Sequence, residues 1–149
     1  MKTKKFFQII AFAFILLGFQ NSKAQQANPE NWTKDQLIEP ATLAQTLNDN
    51  EKIPLIYCVG PGVVIQHSID IGMTRDEKNI QKLRDSLSNV PRDADIVIYC
   101  GCCPFDHCPN VRPAIALLNE MKFTNYHLLN LPHNIKTDWI AKGYPQIEN

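Results

Sequence analysis

The chain has 149 residues, 44% of them hydrophobic, and its 15 lysines and arginines are matched by 15 aspartates and glutamates. A formal net charge of zero gives no electrostatic reason to expect a nucleic acid or an anionic membrane surface as a partner. With no repeats and no low-complexity tract, this length suits one domain built round a single core.

Residues 1–24 differ in kind from the rest. Lys2, Lys4 and Lys5 precede the apolar run Phe6 to Phe19, and Ser22-Lys23-Ala24 places small residues where a signal peptidase reads. That order predicts a secretory signal peptide cleaved after Ala24, and so a secreted or periplasmic protein. At about 14 residues the run is shorter than the roughly 20 a spanning helix needs, so no stable membrane insertion is expected after cleavage. Loss of Lys2, Lys4, Lys5 and Lys23 leaves a formal charge of about −4 on Gln25 to Asn149. Residues 25–36 read as a lead-in and residues 37–149 as the domain.

Thr33-Lys-Asp-Gln36 has the form of a capping box, with Trp32 and Leu37 placed as its hydrophobic staple; it predicts a short helix limited by Pro40. Ala41 to Leu47 predicts a second short helix ending at Asn48-Asp-Asn50. Ile53 to Cys58 is continuously apolar, as in a strand covered on both faces, and Gly60-Pro-Gly62 breaks it. Val63 to Ile71 reads as a bend and a short strand. Thr74-Arg-Asp-Glu77 is a second capping box, after which Ile80, Leu83, Leu87 and Val90 recur at helical spacing. Ile96 to Tyr99 is a second continuous apolar strand. Val111 to Met121 is apolar almost all round and predicts a buried helix; Asn110 is its N-cap and Pro113 lies in its first turn. Tyr126 to Leu131 predicts a strand, and Ile135 to Lys142 a last helix stopped at Gly143 and Pro145. Alternating strands and helices predict an α/β fold, a parallel sheet of about five strands with helices on both faces. Ligands of such sheets sit beyond the carboxyl ends of the strands, where Cys58 and Cys100 both fall.

Four of the five cysteines lie between Cys100 and Cys108, in Cys-Gly-Cys-Cys-Pro-Phe-Asp-His-Cys. Cys100 stands where a buried strand gives way to a helix amino end. Unpaired backbone N–H groups and the helix dipole favour a thiolate there. A structural half-cystine is the competing reading.

The stretch Asp95-Ile-Val-Ile-Tyr-Cys100, the segment Phe123-Thr-Asn-Tyr126 with Leu131, and Trp139-Ile-Ala-Lys-Gly-Tyr-Pro145 together resemble the rhodanese-like domain, the family of single-cysteine sulfurtransferases. Ser68-Ile-Asp-Ile71 resembles its short strand more weakly. The resemblance implies a rhodanese-like parallel sheet and a thiosulfate:acceptor type of activity, with Cys100 carrying sulfur as a persulfide. It implies a small sulfur-containing anion and a thiol acceptor as partners, and no cofactor. Departures are plain. Tyr57-Cys58-Val59-Gly60 replaces an Asp-Val-Arg strand end, and Val63 and Val64 replace a turn glycine and histidine. The active loop, normally compact, is extended by three more cysteines, so that Arg112 stands well downstream of Cys100.

Gly101, Cys102, Cys103 and Arg112 are the candidate substrate-binding residues, Arg112 offering a fork of donors to a sulfonate-like or phosphate-like group. Cys102, Cys103 and Cys108 have three readings. One is a disulfide stiffening the loop, Cys102 or Cys103 to Cys108 being sterically easier. Another is resolution of the Cys100 persulfide by thiol exchange, for which Cys58 is a further candidate. The third is a soft-metal site made by Cys102, Cys103, His107 and Cys108, for which the usual distant second ligand pair is missing. The alternative function is therefore a non-catalytic, thiol-redox or metal-binding module using this loop.

Overall fold

The computed structural model describes residues 32–148; the signal peptide expected over residues 1–24, and the lead-in as far as residue 31, lie outside the described residues. The fold is built on β4 (Ile96–Tyr99), whose four residues are all buried. A strand apolar on both sides needs cover on both faces, and it receives it. β4 pairs in parallel with β2 (Leu55–Cys58) on one side and β5 (Tyr126–Leu129) on the other. Two short strands, β3 (Ser68–Asp70) beside β2 and β1 (Leu37–Ile38) beside β5, complete a five-stranded, all-parallel sheet of order β1-β5-β4-β2-β3. The expected α/β architecture is the observed one.

Successive side chains of a strand point to opposite faces. Ile96 and Ile98, with Tyr57, Val59 and Leu128, enter a core closed by α2 (Glu77–Leu87) and α3 (Val111–Glu120). Val97 and Tyr99, with Ile56, Cys58 and Leu129, enter a second core closed by α1 (Pro40–Asp49) and Trp139. The same alternation carries Cys100 into the α2/α3 core and leaves Cys58 on the other face. Among the described residues no helix is long and apolar enough to cross a membrane.

Local signals were partly redirected by packing. The first capping box makes one 3-10 turn, Lys34–Gln36, in which the Thr33 amide donates to Gln36 Oε1 at 3.0 Å; the chain then enters β1 rather than extending the helix. Pro40, expected to end a helix, instead begins α1, where its missing N–H costs nothing. Thr74 does not cap α2; Asp76 is the N-cap, and the buried Thr74 hydroxyl donates to the Asn110 carbonyl. The last helix splits into α4 (Ile135–Asp138) and a 3-10 turn, Ile140–Lys142. The break is at Trp139, whose ring is fully buried and whose Nε1 donates to the Pro145 carbonyl at 3.0 Å.

Candidate functional site

β4 delivers the chain to the carboxyl edge of the sheet, and Cys100 is the next residue. Its side chain continues the Ile96–Ile98 face, so it is only 2% exposed. The loop that follows is tied to the β5–α4 connection at two points. The Ile135 amide donates to the Gly101 carbonyl at 3.0 Å, and the Phe105 amide donates to the Leu131 carbonyl at 3.1 Å. After the 3-10 turn Phe105–His107 the chain folds back, placing Cys108, fully buried, beside Cys100 at the start of α3.

The sulfurs of Cys100, Cys102 and Cys108 all lie within 4.8 Å of one another. Cys100 Sγ is 3.3 Å from Cys102 Sγ, which is in turn 3.2 Å from Cys103 Sγ. All five cysteines are free thiols, so the loop disulfide expected between Cys102 or Cys103 and Cys108 is not formed. The fold-back turns Cys108 inward to Cys100 and leaves Cys102 exposed. The four-ligand set Cys102, Cys103, His107 and Cys108 is not assembled either: His107 is exposed and its Nδ1 meets Asp106 Oδ1 at 3.0 Å, while Cys100 joins the sulfur group in place of Cys103.

Packed together, three thiols cannot all ionise, because each anion repels the next in a poorly solvated site. Cys100 takes the charge. The Cys108 thiol beside it is the leading influence, opposed by burial and assisted by the Cys102 amide, the Asn110 side chain and the Cys102 thiol; together they lower Cys100 to about 5. Asn110 Nδ2 donates to Cys100 Sγ at 3.6 Å. The neighbours move oppositely. Burial, then the Cys103 and Cys100 thiols, push Cys102 up to about 12, and hydrogen bonding to Cys100 pushes Cys108 well above the ordinary thiol range. The expected cradle of main-chain amides is thus mostly a cradle of side chains. The amide at the helix start, that of Asn110, faces Cys108 rather than Cys100.

Asn110 therefore does more than the N-cap expected of it, and its side chain makes no cap hydrogen bond. It is 2% exposed; its Oδ1 accepts from the Arg75 amide at 3.2 Å and its carbonyl accepts from Thr74. Gly60 has an equally specific duty. A Cβ there would lie 2.5 Å from Cys100 Sγ, so only glycine lets the β2 turn pass the sulfur. At Gly101 a Cβ would meet Ile135 Cβ at 2.8 Å, which makes this candidate substrate-binding residue a packing point against α4. Neither Gly60 nor Thr74 was identifiable as a site residue from the sequence; a strand-breaking glycine and a capping threonine were the visible signals.

Cys58 belongs to the other face. Its thiol donates to the Gly62 carbonyl at 3.3 Å, and burial raises it above the ordinary range, which suits a small buried hydrophobe better than a resolving thiol. Arg112 is exposed on the first turn of α3 and, among the described residues, makes no hydrogen bond or ion pair. His133 is exposed and its Nδ1 meets Asp138 Oδ1 at 2.9 Å. A cavity of about 270 Å³ lined by Asp35, Gln36, Asn119 and Tyr126 lies at the amino end of β5, away from the cysteines. No protein-family model matches this chain, and no curated protein matches it as a relative.

Proposed function

We propose that the chain is an exported, rhodanese-like sulfurtransferase that carries sulfane sulfur as a persulfide on Cys100. One observation carries the reading: donors from three residues converge on a single sulfur at the carboxyl edge of a parallel sheet. Cys100 is thus the one thiol of its group poised as an anion, and the anion is the nucleophile. The thiolate attacks the outer sulfur of a thiosulfate-type donor; the donor's S–S bond breaks and sulfite leaves with the electron pair. An acceptor, a thiolate or cyanide, then attacks the outer sulfur of the persulfide and restores the Cys100 thiolate. The exposed Arg112 offers its charge to the anionic donor.

A second reading rests on exposure. Cys100 is 2% exposed whereas Cys102, in sulfur contact with it, is open to solvent, which favours a module that binds or exchanges through Cys102. A cyanide-dependent thiocyanate assay with thiosulfate separates the two. Sulfur transfer that falls to background in Cys100→Ser supports the enzyme. Turnover no greater than in that variant overturns it for this donor.

A further inference from the structure

We infer that Cys100, Cys102 and Cys108 form a three-coordinate binding site for Cu(I). The proposal does not depend on sulfur transfer; it rests on the arrangement of the sulfurs. An ion bound to thiolates at about 2.3 Å in a plane holds its ligands roughly 4 Å apart. The three sulfurs lie within 4.8 Å of one another, with the Cys100–Cys102 pair at 3.3 Å, so each pair reaches that spacing by moving less than about 1 Å.

The donor set selects the ion. All three ligands are soft sulfurs; the imidazole of His107 is occupied with Asp106, and among the described residues no carboxylate joins the group. Pure thiolate sites favour Cu(I), zinc or iron–sulfur clusters. Structural zinc takes four ligands, and Cys103, although 3.2 Å from Cys102, stands outside the three-sulfur group. Three sulfurs without a fourth suit a monovalent soft ion.

The surroundings support the ligands as a metal site requires. The Asn110 side chain donates to Cys100 and its main-chain amide faces Cys108, holding two ligands in place. Cys100 and Cys108 are buried, while Cys102 is exposed and supplies the way in from solvent. Binding is exchange without redox change: Cu(I) forms three Cu–S bonds, and the protons still held by the thiols pass to solvent.

The test titrates the reduced, full-length protein with Cu(I) under anaerobic conditions against a Cu(I) chelator, with neither sulfur donor nor cyanide present. The expected result is one Cu(I) per chain, a thiolate-to-copper charge-transfer band, and three sulfur neighbours by X-ray absorption. Cys102→Ser, whose side chain is exposed and whose fold is therefore least threatened, lowers affinity by more than about 100-fold. Cys103→Ser and His107→Ala leave it within a few-fold. No binding, equal loss in Cys103→Ser, or a preference for zinc with four sulfurs overturns the site. Thiocyanate formation, measured separately on chelator-treated protein, reports on the sulfurtransferase reading alone.

Discussion

Asn110 is the residue on which the site turns. Its side-chain amide reaches the Cys100 sulfur, its Oδ1 holds the Arg75 amide and its carbonyl holds Thr74, all in a buried position. Asn110→Ala removes the first two and leaves the Arg75 amide without a partner, which costs about 1–3 kcal/mol, measurable by urea unfolding. The same change raises the Cys100 titration midpoint above about 5, read from thiolate ultraviolet absorbance of the reduced, metal-free protein; an unmoved midpoint contradicts the role given to the amide. The linkage has a definite sign. Cys100 is depressed from 9.0, so its contribution to stability is complete above pH 9.0 and disappears as pH falls through about 5. Cys102, raised from 9.0, works oppositely, contributing fully below pH 9.0 and losing that contribution as pH rises through about 12. Gly60→Ala forces the Cys100 sulfur or the turn to shift, because the new Cβ would stand 2.5 Å from Sγ. Overpacking of this kind costs about 1–3 kcal/mol. Iodoacetamide labelling of Cys100 should slow in Gly60→Ala while labelling of the exposed Cys102 does not; equal rates at both would show that the turn does not position the sulfur.

At the scale of elements, the site is a junction between the starts of α2 and α3. Thr74 lies just ahead of α2 and Asn110 just ahead of α3, and their hydrogen bond locks the two helix entries together beneath Cys100. Thr74→Val keeps the shape and removes the donor, and should cost about 1–2 kcal/mol by urea unfolding. On the opposite face, Trp139 closes the α1 core where α4 breaks. Trp139→Ala should cost about 3–5 kcal/mol by the same measurement, since the largest fully buried ring is lost. A loss below about 1 kcal/mol would show that this face collapses without it.

For the whole molecule, the sheet is protected at its centre and thin at its borders. β4 is bonded on both sides and covered on both faces, whereas β1 has two residues and β3 three. Native-state hydrogen exchange should be slowest at the β4 amides and fast in β1 and β3; border strands as protected as β4 would contradict this ordering. That central strand was legible in the sequence, because Ile96-Val-Ile-Tyr99 is an unbroken apolar run that only a doubly covered strand can bury. The helices α2 and α3 were legible for a like reason, their apolar spacing being a local property of the chain. Pro40, Thr74 and Trp139 were misread because packing overrode the local signal: Pro40 opens α1, the Thr74 hydroxyl is drawn to the Asn110 carbonyl, and the Trp139 ring is buried in the core that α1 closes. The cysteine loop shows the division most clearly. The sequence by itself put a thiol at the carboxyl end of a buried strand and crowded three more behind it, since strand periodicity and residue order are local. Only the tertiary structure decided which sulfurs meet, which one lies open to solvent, and that Gly60 and Asn110 meet Cys100 with Thr74 bonded behind Asn110. Those facts depend on where β2, α2 and α3 arrive in space, and no local pattern encodes that arrival.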